Sequence, residues 1–183
     1  EAPEAEVLKR GEAMRVLCRR YGAVFIMNDN PEWAKAVGAD GVHIGQKDRL
    51  PEEARQILGD GAIIGSTVNT FDQIAARCHG ETDYFGLGPF RFTTTKKNLS
   101  AILGVEGYRN IAAQMRAEKI DLPVVAIGGI ELEDVPQILR SGMPGVALSG
   151  AIARSEDPKG SAASFLRVLE TERTYGPKVS DNL

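Results

Sequence analysis

The sequence predicts a parallel α/β protein of the (β/α)8 TIM-barrel class, on three observations. Short apolar runs alternate with helical stretches through the chain, six times in series. No convincing hairpin turn pair separates successive runs, so each strand returns in parallel through its helix. At least four runs finish in polar or glycine-rich sequence: MND, GQKD, GSTVN and IGG. An open doubly wound sheet satisfies the first two observations equally well. The third favours the barrel, where the C-terminal ends of the strands converge on one mouth and carry the chemistry.

The elements follow in order. Residues 4–20 read as a helix with Val7, Leu8, Met14, Leu17 and Tyr21 on one broad face. AVFIMND (23–29) is a strand buried on both faces, judged by its four consecutive apolar residues. PEWAKAVGA is a short helix with Pro31 in its first turn, where a missing N–H costs little. GVHIG (41–45) is the second strand, and LPEEARQILG a helix closed by Gly59. AIIGSTV (62–68) precedes a helix for which Thr70 is the expected N-cap. DYFGLGP (83–89) leads through a Thr/Lys loop to the helix around GYRNIAAQMRAEK. PVVAIGG (123–129) precedes ELEDVPQILRSG, and GVALSG (145–150) precedes a helix near 158–171.

A closed barrel needs eight strands, and six are present. An open six-stranded sheet would leave two unprotected edges, and the chain enters helical sequence directly from Glu1. The expectation is a single, N-terminally incomplete barrel over 1–172, its first strand–helix–strand absent from this chain, followed by a polar tail over 173–183.

Bulk properties exclude several classes. At 183 residues the chain can bury one sizeable core. A net charge of −3 argues against general attraction to nucleic acid or anionic membrane. Cys18 and Cys78 lack the spacing of a zinc site and fit a reducing compartment, and no apolar run is long enough for a membrane span. The cytoplasm is the expected location. A homo-oligomer stays open.

Three features carry chemistry. IGGI (127–130) and LSGAI (148–152) close the last two strands, the place where βα barrels bind phosphate, with Gly129, Ser149 and Gly150 as candidate donors. Glycine in such turns also serves simple tight packing. Asp29 and Asp48 each follow a strand on neighbouring units, and two hard carboxylates suit Mg2+, which keeps several waters and shares itself with substrate phosphates. The alternative is that each acid caps the next helix; the company of Asn28 and Gln46 makes capping alone a poorer account. The loop 86–98, GLGPFRFTTTKKN, supplies the opposite charge, with Lys96 for a phosphate or diphosphate oxygen and Thr93 and Thr95 as hydroxyl donors. His43, between Val42 and Ile44, reads as a satisfied structural histidine, His79 as a surface residue, and Trp33 and Phe71 as packing residues.

NDNPEWAKAVGADGVHIGQKD, IIGSTVNT, DYFGLGPFRFTTTKK, LPVVAIGGI and GVALSGAI, in this order and spacing, resemble the thiamine-phosphate synthase family over about residues 22–170. The resemblance implies a transferase that couples a pyrimidine diphosphate to a thiazole phosphate with release of pyrophosphate, assisted by Mg2+. It implies that Asn28 contacts the pyrimidine substrate and that Asp29 and Asp48 ligate the metal. Thr67 takes the place of a serine facing the pyrimidine diphosphate. Thr93 and Thr95 contact the thiazole phosphate, Lys96 the diphosphate, and Gly129, Ser149 and Gly150 form the thiazole-phosphate cradle. The family's Gln-x-Arg-x-Lys cluster has no match here. Phe92 replaces a common proline, Asn98 a frequent aspartate and Asn69 a frequent histidine. Two readings compete: a thiazole tautomerase of the same fold, which needs a proton-transfer group such as that histidine, and a non-catalytic barrel that binds a phosphorylated ligand.

Overall fold

The computed structural model describes residues 2–92 and 101–175. Six strands run in chain order, β1 (Ile26–Asn28), β2 (Gly41–Ile44), β3 (Ile63–Val68), β4 (Tyr84–Leu87), β5 (Val124–Ile127) and β6 (Gly145–Ala147). Pairing is parallel for β1 with β2, β2 with β3, and β5 with β6. Among the described residues eight helices precede, join or follow them: α1 (Glu4–Tyr21), α2 (Pro31–Val37), α3 (Pro51–Leu58), α4 (Phe71–Ala75), α5 (Gly104–Ala117), α6 (Val135–Arg140), α7 (Gly150–Ala153) and α8 (Pro158–Tyr175). This is the parallel α/β arrangement expected. Every strand is shorter than the run expected for it, and the loss falls on apolar starts as well as polar ends: β1 begins at Ile26 rather than Ala23, and β3 at Ile63 rather than Ala62. Asp29 takes φ 67°, and Gly128 and Gly129 take φ 94° and 69°, all in the left-handed half of the map, where the extended conformation ends.

Two helical expectations shift. ELEDVPQILRSG divides into a 3-10 turn over Leu132–Asp134 and α6 proper. Pro136 has no N–H and its ring clashes with the carbonyl four residues back, so the regular helix starts just before it. The last helix continues through Tyr175 rather than ending at 171.

The contacts divide into two compact units. The first comprises Glu1–Val68 and Ala76–Phe85. Its core packs Met27, Val42, Ile44 and Ile64 of the strands against Ala34 and Val37 of α2 and Ala54 of α3, with Trp33 partly buried beside them. Each large aliphatic buried in this way contributes about 1.5–3 kcal/mol. Arg55 of α3 braces the N-terminal ends of β3 and β4, donating to the Ala62 carbonyl at 2.5 Å, to Glu81 at 3.0 Å and to Asp83 at 2.9 Å. The same Asp83 oxygen accepts the Ile64 N–H at 2.7 Å.

The second unit comprises Asn69–Ala75 and Gly86–Leu183. Thr70 caps α4 as expected, accepting the Gln73 N–H at 3.3 Å. Fully buried Tyr108 of α5 stacks on Phe90 with centroids 5.8 Å apart. Its hydroxyl donates to the carbonyls of Leu87 at 3.0 Å and Ile127 at 3.3 Å, which ties α5 to the ends of β4 and β5. Burial pushes the Tyr108 phenol well above its ordinary range. Among the described residues no helix is long and apolar enough to cross a membrane.

Candidate active site

In the first unit, strand register builds one polar face. Asn28, His43 and Gly65 stand side by side on β1, β2 and β3. Side chains alternate along a strand, so these three project opposite to the core residues Met27, Val42 and Ile64, and Thr67 joins them two residues on from Gly65. His43 sits between two hydroxyls, with Nε2 2.9 Å from Thr67 Oγ1 and Nδ1 3.0 Å from the Tyr84 hydroxyl. The Tyr84 ring lies across Gly65, where an added Cβ would stand 2.4 Å from the phenol oxygen, so only glycine leaves room for it. Burial raises the Tyr84 phenol, keeping it protonated. His43 is thus a satisfied histidine, as its sequence setting suggests. What satisfies it is a residue of the expected site.

The two acids are released from helix capping. The N-cap of α2 is Asn30, whose side chain accepts the Trp33 N–H at 2.8 Å, and the N-cap of α3 is Leu50. Asp29 is exposed, in a left-handed conformation that aspartate tolerates better than most residues, and its N–H continues the ladder to the His43 carbonyl at 2.8 Å. Asp48 folds back on the end of β2, where Oδ2 accepts the Gly45 N–H at 2.6 Å. The acids follow strands that pair directly through Asn28 and His43. Among the described residues no cluster of three or more His, Cys, Asp or Glu side chains stands ready to hold a metal. Two hard carboxylates nevertheless suit Mg2+, which completes its shell with water and phosphate oxygens.

In the second unit, Ile127 and Ala147 are in register, so Gly129 and Ser149 occupy equivalent positions two residues beyond β5 and β6. Ser149 is the N-cap residue of α7 but its side chain makes no capping bond. At Gly150 an added Cβ would stand 2.1 Å from the Arg154 guanidinium, which folds back over it. The turn after β5 is packed by the chain that follows β4. Phe90 and Arg91 donate their N–H groups to the carbonyls of Ile127 and Gly128 at 2.9 and 3.2 Å, and a Cβ on Gly129 would fall 2.6 Å from the Arg91 stem. Arg91 continues to the buried carboxylate of Asp134 at 2.5 Å, which also accepts the Glu131 N–H at 2.8 Å. The Asn69 side-chain amide donates to the Gly88 carbonyl. The remaining expected residues, Thr93, Thr95 and Lys96, lie outside the described residues.

Comparison with known proteins decides the family. Residues 1–152 match the model of the thiamine monophosphate synthase family. The chain belongs to that family. A thiamine-phosphate synthase of Phocaeicola vulgatus is 52% identical over 158 residues, covering 86% of this chain and 76% of the relative. Another, of Bacteroides thetaiotaomicron, is 49% identical over 173 residues, covering 94% and 81%. The solved thiamine phosphate pyrophosphorylase of Pyrococcus furiosus superposes with a TM-score of 0.82 at 32% identity, over 93% of this chain and 79% of that one. Family membership makes the chain a transferase of thiamine biosynthesis on a βα-barrel fold. Sequence reasoning passed over Tyr84, Arg91 and Arg154. The signal for Tyr84 was Gly65, a glycine inside a strand, which marks a close approach by another group.

Proposed function

We propose that this synthase-family chain couples 4-amino-5-hydroxymethyl-2-methylpyrimidine diphosphate to 4-methyl-5-(2-phosphoethyl)thiazole, forming thiamine phosphate and releasing pyrophosphate. Within the chain, the observation that carries this reading is that neither Asp29 nor Asp48 is the N-cap of the helix after it, Asn30 and Leu50 standing at those positions. Asp29 and Asp48 would hold Mg2+, which when bound neutralises charge growing on a departing diphosphate. Lys96 adds a cation to the same oxygens. Heterolysis of the methylene C–O bond sends its electron pair out with the diphosphate, and the thiazole nitrogen lone pair closes on the methylene carbocation that remains. No enzymic nucleophile is required. The protein binds, orients and stabilises charge. Asn28 and Thr67 hold the pyrimidine substrate, while Gly129, Ser149, Gly150, Thr93 and Thr95 hold the thiazole phosphate. We place the reaction in the cytoplasm, where Cys18 and Cys78 stay unbridged.

The tautomerase reading loses ground at Asn69. Its amide transfers no proton near neutral pH and is already committed to the Gly88 carbonyl. The test is Mg2+-dependent pyrophosphate release when both substrates are supplied. Thiazole phosphate bound without any release would overturn the reading in favour of a binding barrel.

A further inference from the structure

We propose that Arg91 and Asp134 form a positioning pair that holds the Gly128–Gly129 turn in the shape that receives the phosphate of the thiazole substrate. The identity of that ligand rests on the synthase reading above, whereas the hold on the turn rests on this chain's geometry.

Gly128 and Gly129 both take positive φ, and no residue loses more freedom than glycine when its backbone is fixed. A free Gly-Gly turn samples many shapes and presents its N–H groups to an anion in only a fraction of them. Affinity for that anion falls by the same fraction. A turn held in shape beforehand escapes the loss.

Arg91 and Asp134 grip the turn from its two sides. On the near side, the Arg91 N–H donates to the Gly128 carbonyl at 3.2 Å, next to the bond from the Phe90 N–H to the Ile127 carbonyl. The Arg91 stem lies against Gly129, 2.6 Å from where a Cβ would stand. On the far side, Asp134 Oδ2 accepts the Glu131 N–H at 2.8 Å. The guanidinium joins the two sides by donating to Asp134 Oδ1 at 2.5 Å. Both anchors are themselves fixed. The Phe90 carbonyl accepts the Gly104 N–H at the start of α5, and the guanidinium stands 5.4 Å from the centroid of the Phe90 ring. Asp134 also accepts an N–H from the Gln137 side chain at 3.3 Å.

Stability alone is a poor account of the pair. Asp134 is 2% exposed and Arg91 43%, so the carboxylate loses its water while its partner stays half in solvent. The attraction offsets little more than that desolvation. What the pair does supply is a fixed path for the backbone from Gly128 to Glu131. Asp134 is too deep to meet a ligand, so its influence on binding passes through the residues it holds.

Two variants separate these roles. Arg91→Met keeps most of the stem over Gly129 and removes the cation. Asp134→Asn keeps an oxygen for the Glu131 N–H and breaks the pair. Each should raise Kd for the thiazole phosphate by calorimetry, and its KM, about 10-fold, with kcat and KM for the pyrimidine diphosphate unchanged. The double variant should bind no more weakly than either single one, because the pair acts as a unit. Without substrates, 15N order parameters of Gly128 and Gly129 should fall in both variants from the rigid value of about 0.85. Weakened binding in Arg91→Met alone would make Arg91 a direct ligand and overturn the proposal. A lowered urea midpoint with Kd and order parameters unmoved would overturn it in favour of a purely structural pair. Absence of pyrophosphate release from the unsubstituted protein would instead count against the synthase reading, and the order parameters would still decide whether the pair holds the turn.

Discussion

Asp29 concentrates the residue-scale argument, because one side chain carries both a conformational and an electrostatic demand. At φ 67° an aspartate or asparagine is tolerated, whereas a β-branched residue is strained. Asp29→Val should therefore lower stability by about 1–3 kcal/mol in urea unfolding. Asp29→Asn keeps the conformation and removes the charge. Its midpoint should hold while Mg2+-dependent turnover drops about 100-fold or more, with thiazole-phosphate affinity by calorimetry unchanged. Equal losses in turnover and in thiazole-phosphate binding would contradict the metal-holding role. The acids were legible in the sequence, since strand-end aspartates on successive units are visible there. That neither acid caps the next helix was not, because it depends on where each helix begins, with Asn30 and Leu50 at the N-cap positions. His43 shows the same limit. Flanking Val42 and Ile44 mark a strand interior, yet alternation sends His43 to the face of Asn28 and Thr67, and its partner Tyr84 stands 41 residues away.

Elements separate stability from chemistry. Arg55 works at the N-terminal ends of β3 and β4, opposite in strand direction to Asn28, Asp29 and Asp48. Its side chain is 13% exposed and serves carboxylates and carbonyls together, while Glu81 and Asp83 are 49% and 46% exposed and regain water when it is removed. Arg55→Ala is expected to lose about 1 kcal/mol, with KM for both substrates unchanged in the folded fraction. A shift in KM without loss of stability would place Arg55 in the site instead. Tyr108→Phe removes a buried hydroxyl shared by the Leu87 and Ile127 carbonyls, and should cost about 1–2 kcal/mol by the same measurement. The order and type of these elements could be read from apolar runs and glycine punctuation. Their ends could not. Strands stop where Asp29 and Gly128 turn to positive φ, and the helix after β5 divides at Pro136, both consequences of backbone geometry that hydropathy does not encode.

For the whole molecule, family and fold were legible because five motifs recur in fixed order along a chain of ordinary composition. The clustering of contacts into two units was not, since β4 contributes Tyr84 and Phe85 to one and Gly86 and Leu87 to the other. The central claim is that the retained acids and the glycine-rich turns serve one coupling reaction. Phosphorus NMR of the protein with Mg2+ and both substrates tests it most directly. The account predicts one pyrophosphate for each thiamine phosphate formed, and neither product when the thiazole phosphate is left out or replaced by a thiazole carboxylate phosphate. Pyrophosphate released without the thiazole partner, or isomerisation of the carboxylate with no coupling, would contradict it.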